Sequence, residues 1–173
     1  MKKMNRITWT TVILCLAFSY SYAQTLSVGD RIPDAKLSNM LNYKDTTLRL
    51  SDFPGKAIII DFWGLSCTAC IEKFPKIDSL QQKYKDDLAF IYVSYDYTEK
   101  VRDFLARVTK KHPYKIVTAT ENDADLDNNY LRSWFPGSEV PWYVVIDKNR
   151  VVKGIFSNKE FKDVDLDKLL DLK

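Results

Sequence analysis

Histidine, cysteine and long apolar runs are all scarce in this sequence, and each shortage removes a class of protein. One histidine, His112, and three cysteines stand among 173 residues. A structural zinc site needs four ligands, which two closely spaced cysteines and one distant histidine do not supply. A disulfide-stapled scaffold is excluded as well, because a domain of this size is not held together by a single Cys-x-x-Cys pair. The apolar stretch near the start, Val12 to Phe18, falls far below the roughly 20 residues that cross a bilayer. Charge of one sign is also in short supply, since the formal excess of +3 comes from Lys2, Lys3 and Arg6. Beyond them basic and acidic side chains balance at 23 each, and no surface dedicated to nucleic acid is implied. Nothing repeats internally, and no low-complexity tract or interdomain linker interrupts the chain.

What is present begins with an export signal. Lys2, Lys3 and Arg6 lead into Val12-Ile13-Leu14-Cys15-Leu16-Ala17-Phe18, and Ser21-Tyr22-Ala23 offers small residues before Gln24. That layout predicts a secretory signal peptide over 1–23, cleaved after Ala23, with an uncleaved membrane anchor as the competing reading. Cys15 lacks the small preceding residue that lipoprotein processing uses. Residues 24–173 then form one domain, exported to the periplasm or cell envelope, with Cys67 and Cys70 as its only thiols.

Residues 24–34 read as an extended entry segment, and strands near 35–41 and 47–50 would pair as a hairpin. Ala57-Ile58-Ile59-Ile60-Asp61-Phe62-Trp63 is a continuous apolar run broken by one carboxylate, as expected of a central strand covered on both faces. After Gly64-Leu65-Ser66, the residues Cys70, Phe74, Ile77, Leu80 and Tyr84 recur every three or four positions. They predict a helix over 67–85, kinked at Pro75. Leu88 to Val93 is the next strand, and Val101, Phe104, Leu105 and Val108 mark a second helix ended by His112-Pro113. A short strand over 115–119, a third helix through Leu126, Tyr130, Leu131 and Trp134, and a hairpin of 142–146 with 151–156 follow. Phe161, Val164, Leu169 and Leu170 predict a terminal helix. The order implies an α/β domain with a mixed sheet and helices on both faces.

Cys67-Thr68-Ala69-Cys70 carries the chemistry. Cys67 falls where a strand has ended and a helix is about to start, so the unpaired amides of the first turn and the helix dipole favour its thiolate. Cys70 lies on the same side of that turn, within disulfide reach and facing inward with Phe74 and Ile77. Thiol–disulfide exchange follows, with Cys67 attacking and Cys70 resolving. A purely structural disulfide, half of a zinc site and two inert buried thiols stay open beside it. Asp61 is the second informative residue, because a carboxylate amid an apolar strand is costly unless neutralised or paired. It could sit beneath the disulfide and relay a proton to or from Cys70, or it could reach solvent or a lysine at the strand end.

Asp61-Phe62-Trp63 before Cys67-x-x-Cys70, then Pro75, and Val140-Pro141 before a strand together resemble the thioredoxin superfamily. The exported start, the Val28-Gly29-Asp30 and Leu50-to-Lys56 segments and the excursion over 98–119 look most like its TlpA/ResA branch. The resemblance implies a thioredoxin fold, a mixed central sheet flanked by helices with an N-terminal β-hairpin extension. It implies catalytic roles for Cys67, Cys70 and Asp61 and a cis Pro141 facing the dithiol. It also implies a substrate-binding surface from Val140, Pro141 and Trp63, with Trp134 and Trp142 as further groove candidates. No cofactor and no metal are expected. The expected partners are a disulfide-bearing protein substrate such as apocytochrome c and a membrane or periplasmic thiol electron donor, and no oligomeric state follows. The chain departs from the branch at four positions: Ser66 stands where Trp is usual, Lys73 where Glu is frequent, Trp142 where a small hydroxylated residue is common and Glu139 where Gly is frequent. Substrate identity therefore does not carry over.

The expected activity is an envelope thiol–disulfide oxidoreductase, most simply a reductant of protein disulfides. Thr68-Ala69 carries neither the Pro nor the His that would mark a strong poise in either direction. A peroxiredoxin-like thiol peroxidase is the alternative, against which Gly64 and Ile60 stand where a Thr and a Pro would precede Cys67. A non-catalytic metal-delivery module would need a well-placed histidine, and His112 at a helix end is poorly placed.

Overall fold

The computed structural model describes residues 25–111, 114–121, 131–137 and 139–172. The expected signal peptide, His112-Pro113, Leu126 and Tyr130 lie outside them. In chain order the elements are β1 (Lys36–Leu37), β2 (Leu48–Arg49), β3 (Ala57–Trp63), α1 (Thr68–Ile71), α2 (Phe74–Lys83), β4 (Leu88–Ser94), α3 (Thr98–Lys111) and β5 (Thr118–Thr120). They continue with β6 (Trp142–Ile146), β7 (Val152–Ser157), α4 (Asn158–Phe161) and α5 (Leu166–Leu170), and short 3-10 turns occupy Leu50–Asp52 and Leu131–Trp134. β1 and β2 form the antiparallel N-terminal hairpin. The main sheet runs β5-β4-β3-β6-β7. Its three strands β3, β4 and β5 are mutually parallel, and β6 and β7 add an antiparallel hairpin to the other edge of β3.

Every residue of β3 is buried, which is why its sequence reads as an apolar run rather than an alternation. The pleat still separates its side chains. Ile58, Ile60 and Phe62 enter one core with Ile91, Val93, Val144 and Trp142. Ile59 and Trp63 enter the other with Phe90, Tyr92, Tyr143 and Val145, and the period of two places Asp61 on that second face. With Ile60 fully enclosed, Ile60→Ala would cost about 2–5 kcal/mol.

The expected strands and helices within the described residues are present, with shifts that have local causes, except that of the third helix only Leu131–Trp134 is described, and it is a 3-10 turn. The first strand shortens to Lys36–Leu37 because Asn39 and Asn42 take positive φ, 52° and 58°, which ends extended backbone. Leu41 instead forms an isolated bridge to Thr118. The helix expected over 67–85 breaks between α1 and α2 at Glu72-Lys73, with Pro75 in the first turn of α2, where its missing amide is tolerated. The terminal helix divides in two, because Ser157 and Asp165 each cap a new start with a side-chain oxygen. Buried side chains of all five α-helices fall in the second core. The first core is closed, among the described residues, by Ile32, Leu37, Leu48, Leu50, Leu131 and Phe135, from the entry segment, the hairpin and the 3-10 turns. The helical cover expected there is thus supplied in part by irregular chain.

Candidate active site

β3 ends at Trp63, and the turn Gly64-Leu65-Ser66 delivers Cys67 to the N-cap of α1. The Cys67 amide donates to the Gly64 carbonyl at 3.0 Å. Cys67 and Cys70 are joined as a disulfide with Cα atoms 5.3 Å apart, and the Cys70 amide donates to Cys67 Sγ at 3.1 Å. The capping bond places a helix-start donor on the sulfur that would carry negative charge after reduction. Exposure separates the two residues, since Cys67 keeps 9% of its surface and Cys70 only 1%. An incoming sulfur can therefore meet Cys67, while Cys70 is available from within.

The turn before the dithiol is pinned by the end of β4. Leu65 donates its amide to Asp96 Oδ2 at 2.6 Å, and Ser94 Oγ donates to the same oxygen at 3.2 Å. Tyr95 lies against Gly64, where an added β-carbon would sit 2.2 Å from the phenol ring. Its hydroxyl is 3.1 Å from Ser66 Oγ, and the Arg132 guanidinium stands 5.4 Å from the ring centroid. An aromatic ring thus borders this turn although position 66 itself carries serine.

Asp61 is buried, which excludes a solvent contact at the strand end. Its cross-strand partners are Tyr92 on β4 and Tyr143 on β6, so two aromatic side chains flank the carboxyl on the face that holds the dithiol. Asp61 Oδ1 has no hydrogen-bond partner. Burial holds the carboxyl well above the usual carboxylate range, and Lys73 opposes that rise. Burial and the negative charge of Asp61 push both tyrosine hydroxyls upward, so neither ionises in any ordinary range. Lys73, half-buried after α1, donates to Tyr143 Oη at 3.3 Å and to the Asn158 carbonyl at 3.4 Å. Its ammonium lies 5.0 Å from the Tyr143 ring centroid. Burial lowers its affinity for a proton and Asp61 raises it.

Val140-Pro141 is a cis peptide, as the resemblance implies. Pro141 is buried, and half-buried Val140 packs against both cores, including the cluster that holds Cys67 and Cys70. Trp63 requires a correction: it is fully buried and cannot present a surface to a substrate. Its indole donates to Thr118 Oγ1 at 3.1 Å and packs edge-on against Phe74 at 5.3 Å, so it supports the start of α2, the helix that follows the dithiol. Trp142 is also buried, stacked on Phe62 at 4.0 Å in the opposite core. Both tryptophans close cores because β3 and β6 are central strands with no free face. The sequence reading missed Tyr92, Tyr143 and Tyr95. The alternation of β6 marks Tyr143 as sharing a face with Val145, but its register against Asp61 is a tertiary fact.

A mixed five-stranded sheet with a Cys-x-x-Cys pair at the joint between its central strand and a helix defines a thioredoxin-superfamily dithiol protein. The chain belongs to the Redoxin family, whose pattern it matches over residues 27–170. It is 29% identical over 175 residues to the thiol-disulfide oxidoreductase ResA of Geobacillus thermodenitrificans, an alignment covering 94% of each chain. To the ResA of Oceanobacillus iheyensis it is 31% identical over 114 residues, 59% of each chain. A Chlorobium tepidum structure assigned as a thiol:disulfide interchange protein DsbE superposes with a TM-score of 0.61 at 28% identity, covering 76% of this chain and 86% of that one. These likenesses place the chain in the TlpA/ResA-like part of the superfamily.

Proposed function

We propose that this chain is an exported thiol–disulfide oxidoreductase that reduces disulfides of envelope proteins through a mixed disulfide on Cys67. The observation that carries the reading is the paired asymmetry of the dithiol, with Cys67 the less buried of the two and capped by a backbone amide and Cys70 enclosed on the face of a buried carboxyl. ResA-named relatives support the same class, and they do not favour the peroxidase or metal-delivery alternatives. The basic, apolar and small-residue order of the first 23 residues supports export.

In the reducing direction the Cys67 thiolate attacks one sulfur of the partner disulfide, and the other leaves as a thiolate. The Cys70 thiol then gives its proton to the Asp61 carboxylate and attacks Cys67 Sγ. The partner sulfur bonded to Cys67 leaves as a thiolate, so two electrons pass to the partner and the Cys67–Cys70 disulfide closes. An external dithiol donor restores the reduced pair. Val140 and Pro141 would contact the substrate chain, and apocytochrome c is one candidate partner.

The test is trapping combined with a redox titration. Cys70→Ala should accumulate a partner mixed disulfide through Cys67, identifiable by mass spectrometry, and Cys67→Ala should trap none. Equilibration against glutathione should give a potential more negative than about −180 mV, whereas a value near the −120 mV of a strong periplasmic oxidant would overturn the reducing direction.

A further inference from the structure

We propose that the groove between the α1–α2 joint and α3 docks an apolar segment with acidic flanks on the disulfide-bearing partner. This rests on the exchange activity proposed above. Ile71, Phe74 and Pro75 form one wall of the groove, and Phe104 and Val108 form the other, around a volume of about 610 Å³. On α3, Val101 and Leu105 turn into the core, while Phe104 and Val108, one helical turn apart, remain half-buried along the groove. Ile71 is half-buried too and Pro75 is exposed. The described residues thus leave this apolar groove partly uncovered, with room for a few partner side chains.

The rim specifies charge. Arg107, Lys110 and Lys111 border the groove, and among the described residues no carboxylate lines it. Beyond the first 23 residues the chain carries equal numbers of acidic and basic side chains, so a rim of one sign is a local feature. It matches a segment whose apolar residues are neighboured by Asp or Glu. The position specifies the occupant. Ile71 ends the short helix that Cys67 caps, which places the groove mouth roughly 6 Å along the helix axis from the attacking residue. Two to four extended residues, at about 3.3 Å each, span that separation. A segment close in sequence to a cysteine bonded to Cys67 can therefore occupy the groove during exchange. An anionic membrane surface shares the charge requirement, but it has no use for an apolar groove at the end of the helix that carries the dithiol.

The test uses the full chain, reduced, with three fluorescent disulfide-linked peptides of equal length. One carries Leu-Phe flanked by Asp and Glu three residues from its cysteine, the second replaces the acids by Lys, and the third replaces Leu-Phe by Ser. The acidic–apolar peptide should show at least ten-fold higher kcat/KM than the other two. Val108→Arg and the surface double substitution K110E/K111E should each erase that preference and leave reduction of oxidised glutathione unchanged. Equal rates for the three peptides, or a preference that survives both variants, would overturn the docking. Charge-dependent binding to phosphatidylglycerol vesicles without any peptide preference would assign the rim to membrane and overturn it equally. Fluorescence anisotropy with the Cys→Ser form of the acidic–apolar peptide separates this from failure of the activity. Binding that Val108→Arg abolishes upholds the groove even if no disulfide is reduced.

Discussion

Lys73 Nζ donates to Tyr143 Oη across 3.3 Å, and Tyr143 is the cross-strand neighbour of Asp61. A cation just past the resolving cysteine is thereby tied to the strand that flanks the buried carboxyl. Burial raises the proton affinity of Asp61 and Lys73 lowers it, so Lys73→Met should move the ionisation of Asp61 to higher pH. The expected outcome is an upward displacement of the pH at which the resolving step accelerates, with Lys73→Arg close to the parent. Stopped-flow release of a thiol from the Cys67 mixed disulfide across pH measures it, and an unmoved profile in Lys73→Met would sink the coupling.

Asp61 itself should link stability to pH. Its folded-state affinity for a proton exceeds the ordinary one, so the associated stability is complete below the usual carboxylate range and is lost as pH rises through the raised folded value. Asn at this position cannot ionise. Asp61→Asn should exceed the parent in stability in alkaline solution, with the gain vanishing in acid. It should also slow the resolving step on the order of 10²-fold. Denaturant unfolding at both extremes, with rapid-quench kinetics of the mixed disulfide, checks the pair of outcomes. A variant destabilised in alkali would contradict the burial argument.

The parts of this site legible in the sequence are those carried by local pattern. Cys67 and Cys70 are readable because strand, Gly64 break and helical period bracket them within one window. β3 is readable because an apolar run of strand length, interrupted only by Asp61 and bounded by turn formers, is what a strand covered on both faces requires. Asp61 is readable as costly but not as flanked, since Tyr92 and Tyr143 reach it through strand register, which no spacing in the chain encodes. Trp63 and Trp142 are misplaced at a surface for a related reason: an aromatic beside a motif looks available until two layers close over it. The split of the terminal helix is written in Ser157 with Glu160 and in Asp165, capping signals that the broad apolar period of that segment conceals.

Glu121 supplies a second pH-dependent element away from the dithiol. The residue is 8% exposed, its carboxyl accepts the Leu131 amide at 2.6 Å, and burial raises its pKa to about 7. The sign is that of Asp61: stability is full below the ordinary value and falls as pH climbs through about 7. The whole span is worth up to about 3 kcal/mol. Glu121→Gln keeps the acceptor and removes the charge, so it should flatten the decline between about pH 5 and pH 8. Thermal melts of Glu121→Gln made in the Asp61→Asn background isolate the effect. A decline as steep as in Asp61→Asn alone would show that Glu121 does not carry it.

Tyr95 and Gly64 bear on how the attacking cysteine is held. The ring occupies the space a β-carbon would need at Gly64, and the Gly64 carbonyl receives the Cys67 amide, so displacement at one is passed to the other. In Gly64→Ala the phenol, being the far end of a side chain, should swing away and lose its contact with Ser66 Oγ. The backbone itself need not move far. The expected stability cost is therefore small, about 1 kcal/mol for the net loss of one hydrogen bond. Alkylation of reduced Cys67 by iodoacetamide should rise several-fold, because the ring no longer borders its turn. Tyr95→Phe, which keeps the ring and loses only the hydroxyl, should leave alkylation near the parent rate, while Tyr95→Ala should reproduce Gly64→Ala. If Tyr95→Phe alone gave the full acceleration, the hydroxyl contact to Ser66 rather than the ring would be what orders the turn before the dithiol.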